Sequence, residues 1–298
     1  MNLKPQYKYD LIETLYSGQA FRWSPLNGGG DDTNPWHEAI IGDQRVRLRQ
    51  IENEIQLDQQ GSSTQNSERI SDYLRLGDNL SEIYSDLCTD KYLQKAIDQY
   101  QGLHILRQEP WECLITFICS ANNNIPRIRT IVERLCDTLG TEKVDESGSY
   151  HCFPTSLQIN EVGEEGLRKL GLGFRAKYVS AASRLDLEGQ INVNELRGLK
   201  YEFVLAELMK IPGVGDKVAN CVMLFSLDQL NAFPVDVWVK RVLRENYYGD
   251  VTSIPDTKLR EWAQTYFGRY SGYANQYLFH NRRSVSYTHL TLPTILLV

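Results

Sequence analysis

The sequence predicts an α+β chain, in which an N-terminal antiparallel β-sheet is followed by a helical bundle. Two observations carry this prediction. Apolar and polar residues alternate between Trp36 and Asp58, and from about Ser67 onward apolar residues recur at helical spacing. A chain of 298 residues can bury one or two cores. We assign residues 1–100 to a sheet-containing domain, 101–283 to a helical domain and 284–298 to a segment outside both.

The predicted strands occupy residues 36–58, where apolar side chains mark one buried face. The apolar positions are Val46, Leu48, Ile51, Ile55 and Leu57. Stretches rich in glycine, serine and asparagine at 27–35 and 59–68 are typical of turns and bound these strands.

The helical periodicity is clearest at residues 125–139, a helix that we expect to end at Gly140. Its apolar face comprises Ile128, Ile131, Val132, Leu135 and Leu139. The preceding stretch, PWECLITFICSA, begins with Pro110, which suits a first helical position, and is apolar enough for a buried helix. The last stretch, SVSYTHLTLPTILLV at 284–298, fits neither domain, and we predict that it is foreign and disordered.

Composition excludes several classes of protein. The first ten residues lack the apolar segment of a secretion signal, and no apolar run reaches the length of a membrane span. We therefore predict neither export nor membrane insertion, which leaves the cytosol, the nucleoid or the nucleus. The six cysteines include no C-x-x-C pair, which argues against a zinc site, an iron–sulfur cluster and a disulfide framework.

The distribution of charge limits how the chain would bind a nucleic acid. The net charge is −6, but residues 1–100 carry 10 Lys and Arg against 16 Asp and Glu, whereas residues 201–298 carry 10 against 9. The excess acidity therefore lies mainly in the first third. Any contact with DNA must depend on helix ends and on individually positioned side chains more than on a broad basic surface.

The stretch MKIPGVGDKVANCV, residues 209–222, places two glycines just before a lysine. A Walker A loop is excluded because Asp216 separates Gly215 from Lys217, and Val218 stands where a hydroxyl residue is required. A Rossmann turn is excluded because Val218 replaces the third glycine and the residues before the turn have helical spacing. The pattern indicates a helix, a tight turn and a second helix.

This turn predicts an anion site. Gly213 and Gly215 can both adopt positive φ at little cost, and the second helix presents unpaired N–H groups and the positive end of its dipole. A DNA phosphate would fit there. Lys217, in the first turn of that helix, is a candidate nucleophile. Taken alone, a lysine at such a position is more commonly a solvated surface residue.

Five stretches are together similar to the 8-oxoguanine DNA glycosylase/AP lyase family of the helix-hairpin-helix superfamily. They are SGQAFRW from Ser17, WECLITFICSANNNIPRI from Trp111, LRKLGLGFRAKYV from Leu167, IPGVGDK from Ile211 with Asp236 in FPVDVWV, and YANQYLF from Tyr273. The matches occur in order across residues 9–283. The resemblance implies a monomeric bifunctional enzyme that excises 8-oxoguanine opposite cytosine from duplex DNA and cleaves the abasic site by β-elimination.

The resemblance also implies roles for individual residues. Lys217 would attack the sugar C1′ and form a Schiff base, and Asp236, otherwise a plain helix cap, would stabilise the positive charge that develops. The base pocket would comprise Gly18, Cys221, Asn275, Gln276 and Phe279. Contacts with DNA and the orphan base would come from Asn122, Arg127, Phe174, Arg175, Gly213, Gly215 and Val218. The carbonyls of Met209, Ile211 and Val214 would hold a structural cation, with no cofactor required.

Two positions depart from the family pattern. Asn275 stands where the family has a glutamine that recognises the Watson–Crick edge of the base, and Gln276 follows it, so either is a candidate. Trp238 stands where a phosphate-contacting histidine is common.

Two alternative functions stay open at this point. An endonuclease III-like pyrimidine glycosylase shares the hairpin, the lysine and the aspartate, but is expected to carry a four-cysteine cluster near its C-terminus. A non-catalytic hairpin module that only binds DNA would need neither Lys217 nor Asp236.

Overall fold

The computed structural model describes residues 1–26, 34–58, 64–88, 90–248 and 254–291. As the sequence predicts, an N-terminal antiparallel sheet is followed by a helical part. The strands of the sheet are β1 (Asn2–Leu3), β2 (Ser24–Pro25), β3 (His37–Ile41), β4 (Gln44–Ile51) and β5 (Glu54–Leu57). Their spatial order is β1-β5-β4-β3-β2, and every pair is antiparallel.

Thirteen α-helices occur among the described residues. They are α1 (Leu11–Tyr16), α2 (Thr64–Tyr73), α3 (Leu80–Leu87), α4 (Lys91–Gln99), α5 (Pro110–Cys119), α6 (Ile125–Leu139), α7 (Ser156–Leu167), α8 (Ala176–Leu187), α9 (Tyr201–Met209), α10 (Asp216–Ser226), α11 (Val237–Leu243), α12 (Asp256–Phe267) and α13 (Ser271–Thr291). Helix α2 begins inside the stretch 59–68 that the sequence predicts as a break. Residues 27–33 and 59–63 of the two predicted breaks lie outside the described residues.

The alternation along the strands buries one face of the sheet. Ala39 pairs with Val46 in the β3–β4 register, and Val46, Leu48 and Ile55 are all buried. This face packs against α1 and α2 to form the first apolar core. Ile51 is exposed because it ends β4 at the turn into β5, so the predicted alternation of buried and exposed residues does not extend to that position.

The second apolar core surrounds two helices that are buried over most of their length. Helix α5 is buried from Cys113 to Cys119, and α10 is buried from Val218 to Ser226. The rings of Phe117 and Phe225 stack between them at 5.5 Å. The start of α10 meets the end of α5 where Lys217 contacts Ser120, and the candidate site lies there.

Most residues of the first core precede residue 80 and most residues of the second follow it, with exceptions in both directions. The first includes Leu76 and Leu106, and the second includes Phe21 and the apolar side chains of α3 and α4. Helices α3 and α4, which the sequence assigns to the domain at 1–100, thus pack into the helical core. Within the described residues no helix has the length and apolar character needed to cross a membrane.

A two-stranded hairpin, β6 (Glu142–Asp145) with β7 (Gly148–His151), interrupts the helical part and is absent from the sequence prediction. Val144 is 76% exposed, so the hairpin buries little apolar surface. It is held on the sheet by polar contacts: Arg45 donates to the carbonyl oxygen atoms of Gly148 at 3.2 Å and Ser149 at 2.8 Å. Contacts of this kind leave no periodic pattern in the sequence.

The ends of two helices differ from expectation. Helix α6 ends before Gly140 as predicted, but Gly140 has a φ of −68°. Glycine is needed there for space, since a Cβ would lie 2.0 Å from the Cys152 carbonyl oxygen. Helix α13 continues to Thr291, so its backbone enters the segment 284–298 that the sequence predicts to be disordered, and residues 292–298 lie outside the described residues.

Candidate active site

The glycine turn between α9 and α10 forms the hairpin that the sequence predicts. Gly213 has a φ of 84°, and a Cβ on it would lie 2.4 Å from Cγ of Tyr178, so both conformation and space require glycine. The Val214 N–H closes the turn by donating to the Ile211 carbonyl at 3.0 Å. Gly215 differs from the prediction: its φ is −95°, in the extended region.

The first turn of α10 is open to an anion. Gly215 is the N-cap residue, and within the part of the chain that the structure describes no side chain caps this helix start. The first helical N–H with a backbone acceptor is that of Ala219, which donates to Gly215 at 2.9 Å. The N–H groups of Asp216, Lys217 and Val218 precede it, at the positive end of the helix dipole. These groups can donate to a phosphate.

Lys217 is half-buried at this helix start. Its Nζ donates to the Ser120 hydroxyl at 3.2 Å and lies 5.1 Å from the ring centroid of Phe117. Cys221, one helical turn further along α10, is buried, and burial raises the pKa of its thiol to about 11 against the opposing charge of Lys217. The thiol therefore stays protonated at neutral pH and lines the site as an apolar group.

Asp236 caps α11 and also interacts with the charge of Lys217. Its Oδ1 accepts hydrogen bonds from the backbone N–H of Trp238 at 2.9 Å and of Val239 at 2.8 Å. Burial raises the pKa of Asp236; the Val239 N–H, the Lys217 charge and the Trp238 N–H oppose that shift. The capping role and the charge interaction, which sequence alone presents as alternatives, coexist here.

A cationic side chain lies beside Trp238. The guanidinium carbon of Arg241, one turn further along α11, lies 5.4 Å from the Trp238 ring centroid. A charged group therefore accompanies the tryptophan where the family commonly has a histidine.

The base-pocket residues from the first and last helices meet at Gly18. Gly18 has a φ of 88°, and a Cβ on it would lie 3.2 Å from the Phe279 ring and 2.6 Å from Nη1 of Arg283. Gln276 donates from Nε2 to the Ser17 carbonyl at 3.2 Å. The structure thus brings Gly18, Gln276 and Phe279 together, although they lie at opposite ends of the chain.

Asn275 faces a different part of the protein. It is buried, and its Nδ2 donates to the Pro234 carbonyl at 2.8 Å. This bond holds the segment that leads into Asp236. The two adjacent amides, which the sequence leaves as equal candidates for the base edge, are therefore distinguished by their contacts.

The loop after α5 carries the predicted contacts with the DNA gap. Asn122 is exposed at its tip with a φ of 48°, a conformation that asparagine tolerates better than most residues. Arg175 is buried and donates to the carbonyls of Ala121 and Asn122, each at 2.8 Å. In this structure Arg175 supports the Asn122 loop, whereas the sequence assigns it to the orphan base.

Phe174 and Arg127 lie near the same loop. Phe174 is 44% exposed, and the Arg175 guanidinium carbon lies 4.4 Å from its ring centroid. Arg127 is exposed in the first turn of α6, and burial together with the Arg127 charge lowers the pKa of Arg175. An aromatic ring and a cation thus flank the exposed asparagine.

Three site residues have no assigned role in the sequence prediction. Ser120 and Phe117 contact the Lys217 amine, and Arg283 lies against Gly18. Ser120 and Phe117 lie within a stretch that resembles the family, but no local pattern marks them. Only the packing of α5 against α10 makes them neighbours of the lysine.

No cluster of three or more His, Cys, Asp or Glu side chains placed to hold a metal ion is found among the described residues. The groups that are present define a class of site: a lysine amine that interacts electrostatically with a half-buried carboxylate, at an uncapped helix start that can bind a phosphate. This arrangement suits attack by an amine on a carbon of a phosphate-bearing substrate.

Comparison with known proteins agrees with this class. Residues 2–114 match the N-terminal domain of 8-oxoguanine DNA glycosylase, and residues 115–265 match the HhH-GPD superfamily of base excision DNA repair proteins. The chain is 33% identical over 281 residues to N-glycosylase/DNA lyase OGG1 of Arabidopsis thaliana, covering 89% of this chain and 75% of the relative. It is 35% identical over 261 residues to the N-glycosylase/DNA lyase of Saccharomyces cerevisiae, covering 80% and 68%.

Solved structures show the same relationship. Clostridium acetobutylicum 8-oxoguanine glycosylase/lyase, in complex with double-stranded DNA containing cytosine opposite 8-oxoguanine, matches with a TM-score of 0.86 and 30% identity over 96% of this chain and 98% of that one. MBOgg1 in complex with a low-affinity DNA ligand matches with a TM-score of 0.88 and 32% identity over 96% of each chain. The chain belongs to the N-glycosylase/DNA lyases of the HhH-GPD superfamily of base excision DNA repair proteins.

Proposed function

We propose that this protein excises 8-oxoguanine opposite cytosine from duplex DNA and then cleaves the abasic strand by β-elimination. The observation that carries the proposal is the Lys217 amine, held on Ser120 at an uncapped helix start and in electrostatic contact with Asp236. The relatives named as N-glycosylase/DNA lyases support the same two activities.

In the proposed chemistry, the unprotonated Lys217 amine attacks C1′ of the damaged nucleotide. The bond between C1′ and the base breaks, its electron pair leaves with the base, and the base takes up a proton. The ring oxygen then leaves C1′ with its electron pair and takes up a proton from solvent, which opens the sugar and gives an iminium between Lys217 and C1′. Loss of a C2′ proton to solvent forms the double bond between C2′ and C3′ and expels the 3′ phosphate with the electron pair of its C–O bond. The Asp236 carboxylate stabilises the positive charge that develops on the sugar.

The flipped base is proposed to lie against the Gly18 turn. The Gly18 carbonyl accepts the N7 hydrogen that 8-oxoguanine has and guanine lacks, and Phe279 stacks on the ring. Cys221 lines the pocket from the α10 side. We assign the Watson–Crick edge to Gln276 because its amide lies at the Ser17 carbonyl, whereas the Asn275 amide is bound to Pro234.

The DNA itself is proposed to contact the protein at two places. The hairpin, from Gly213 and Gly215 to the N–H of Val218, binds a backbone phosphate of the damaged strand. The loop around Asn122 fills the gap left by the base. Arg127 and Phe174 contact the orphan cytosine and its neighbour, and Arg175 holds the loop for them.

A structural cation at the hairpin is consistent with the donor set. The carbonyls of Met209, Ile211 and Val214 are hard oxygen ligands around the Gly213 turn, and the Ile211 oxygen keeps a lone pair after accepting from Val214. A cation there would stiffen the turn and add positive charge near a phosphate. The proposed chemistry needs no cofactor, because Lys217 is the nucleophile.

We also propose that the protein acts as a monomer in the nucleus or nucleoid. Lys217, Asp236, Gly18 and Phe279 all come from one chain, so no second subunit is needed to complete the site. The double-stranded DNA bound to the Clostridium acetobutylicum enzyme supports a duplex partner, and the DNA ligand of MBOgg1 supports DNA binding.

The substrate is tested by incubating the protein with four duplexes that place cytosine, adenine, guanine or thymine opposite 8-oxoguanine, and with a fifth that contains thymine glycol. The proposal predicts fastest base release and strand cleavage with 8-oxoguanine opposite cytosine. Preferential release of thymine glycol would favour the endonuclease III-like alternative. Tight binding of all five duplexes without base release would favour the non-catalytic module.

A further inference from the structure

Arg260 on α12 lies buried against the first residue of α10. Its Nε donates to both carboxylate oxygens of Asp216, at 3.1 and 2.9 Å. Its Nη1 donates to the Tyr201 hydroxyl at 3.1 Å and to the Gln264 side-chain oxygen at 2.9 Å. The guanidinium therefore has a fixed place among α9, α10 and α12, and nothing in the proposed chemistry uses it.

Asn220 extends this network toward the second catalytic residue. Its Nδ2 donates to the Asp216 carbonyl at 2.8 Å, and its Oδ1 accepts from the Tyr201 hydroxyl at 2.7 Å and from the Phe233 N–H at 3.2 Å. Phe233 lies three residues before Asp236. The network thus touches the backbone directly before Lys217, at Asp216, and the segment that leads into Asp236, at Phe233.

The Asp216 carboxylate poses an electrostatic problem at this position. It belongs to the residue directly before Lys217, and it lies at the helix start where the proposed phosphate binds. A negative charge on that side would repel the phosphate and would offer the Lys217 amine a competing partner to Ser120. In the structure the carboxylate is instead turned toward Arg260 on the protein side of the hairpin.

We propose that Arg260 is a positioning residue that neutralises Asp216 and keeps its carboxylate away from the phosphate site and from Lys217. The inference rests on the proposed function, in which the open N–H groups of α10 face DNA. It explains how an aspartate can occupy the first position of a DNA-binding hairpin helix. It also assigns a function to α12, which contributes no other residue to the site.

The test uses three variants, Arg260→Met, Asp216→Asn and the double variant, with Arg269→Met as a control that removes an exposed arginine elsewhere. Binding of undamaged duplex DNA is measured by fluorescence anisotropy at two salt concentrations. The rate of the borohydride-trapped adduct is measured on duplex containing 8-oxoguanine. Thermal unfolding of each variant establishes that it is folded.

Arg260→Met is expected to weaken duplex binding about 10-fold and to slow adduct formation by a similar factor, because it leaves the Asp216 charge uncompensated. The double variant is expected to return both quantities to within about 3-fold of the wild type. Asp216→Asn should bind duplex DNA at least as tightly as the wild type, and Arg269→Met should change neither quantity.

A double variant as impaired as Arg260→Met would overturn the proposal, since the arginine would then act through Tyr201 and Gln264. Weaker binding by Asp216→Asn would overturn it as well. If Arg260→Met does not fold, Asp216→Asn and the double variant still decide the question. Failure of wild type to form any adduct would count against the proposed function alone, because duplex binding is measured without excision.

Discussion

The Lys217 amine donates a hydrogen bond of 3.2 Å to the Ser120 hydroxyl. The Ser120 hydroxyl donates its only hydrogen to the Phe117 carbonyl at 2.7 Å. Its oxygen therefore presents a lone pair to the amine, which is held at the end of α5 rather than extending into solvent. The contact relates a residue of the hairpin to one that lies 97 positions earlier in the chain.

Replacing Ser120 with alanine is expected to slow base release about 3- to 10-fold, because the loss of one hydrogen bond to the nucleophile frees the lysine side chain. The affinity for duplex DNA should stay unchanged. Single-turnover rates and anisotropy separate the two quantities. Ser183→Ala is the matched control, since Ser183 makes the same kind of bond within α8, to Ser180 at 2.9 Å, away from the site. Equal rates for the wild type and Ser120→Ala would show that the contact has no role in catalysis.

Two substitutions separate the two roles of Asp236, which are capping α11 and supplying a carboxylate charge. Asparagine also caps helices, so Asp236→Asn is expected to keep the α11 cap but to slow base release about 100-fold or more through loss of the carboxylate charge. Asp236→Ala loses both roles, and we expect it to lower the free energy of unfolding by about 1 kcal/mol relative to Asp236→Asn. Retention of full activity by Asp236→Asn would leave the residue with a capping role only.

The raised pKa of Asp236 gives this pair a pH dependence. A carboxyl group whose pKa is higher in the folded than in the unfolded state destabilises the fold fully above the folded pKa; this penalty shrinks as pH falls below the folded pKa and is gone below the unfolded pKa. Asp236→Asn should therefore unfold at or above the wild-type temperature at pH 7, with the gain shrinking in acid. Wild-type activity should fall as Asp236 is protonated, at higher pH than for an ordinary aspartate. A gain that grows in acid would contradict this account.

Gly18→Ala should impair both stability and base release. The positive φ alone is expected to cost about 1–2 kcal/mol, and the new methyl group would press on Arg283 and Phe279 in the pocket. Gly198→Ala is the control, because Gly198 has a φ of 79° but open space around its Cβ position. Both variants should lose stability in thermal unfolding, and only Gly18→Ala should release 8-oxoguanine more slowly. Equal activity in the two variants would place the base elsewhere.

A DNA duplex that already contains an abasic site distinguishes the proposed roles of Gln276 and Asn275. Gln276→Ala is expected to slow release of 8-oxoguanine about 10-fold and to leave cleavage of a preformed abasic site unchanged, because that site has no base edge to recognise. Asn275→Ala should slow both reactions, since it loosens the segment from Pro234 to Asp236. The reverse pattern would assign base recognition to Asn275.

Local sequence suffices for the features that depend on neighbouring residues. The sheet follows from alternation within 36–58, and the hairpin follows from the glycines between two helical patterns. Gly213 has the positive φ that the turn demands. Gly215 does not, because the start of α10 requires only an extended N-cap residue there.

Features that depend on packing between distant segments cannot be predicted from local sequence patterns. Asn275 and Gln276 are adjacent, but successive residues of a helix point about 100° apart, so the position of α13 decides which one faces Gly18. Asp216 is paired with Arg260, which lies 44 positions away. Neither relationship has a local pattern, although both determine what the site can do.

Borohydride trapping shows whether Lys217 is the nucleophile, as we claim. The protein is incubated with duplex DNA that contains 8-oxoguanine opposite cytosine, sodium borohydride is added, and covalent adducts are resolved by denaturing electrophoresis. A protein–DNA adduct is expected with the wild type and none with Lys217→Gln, while Lys240→Gln serves as a matched lysine control and still forms it. No adduct with the wild type, or an undiminished adduct with Lys217→Gln, would contradict the claim.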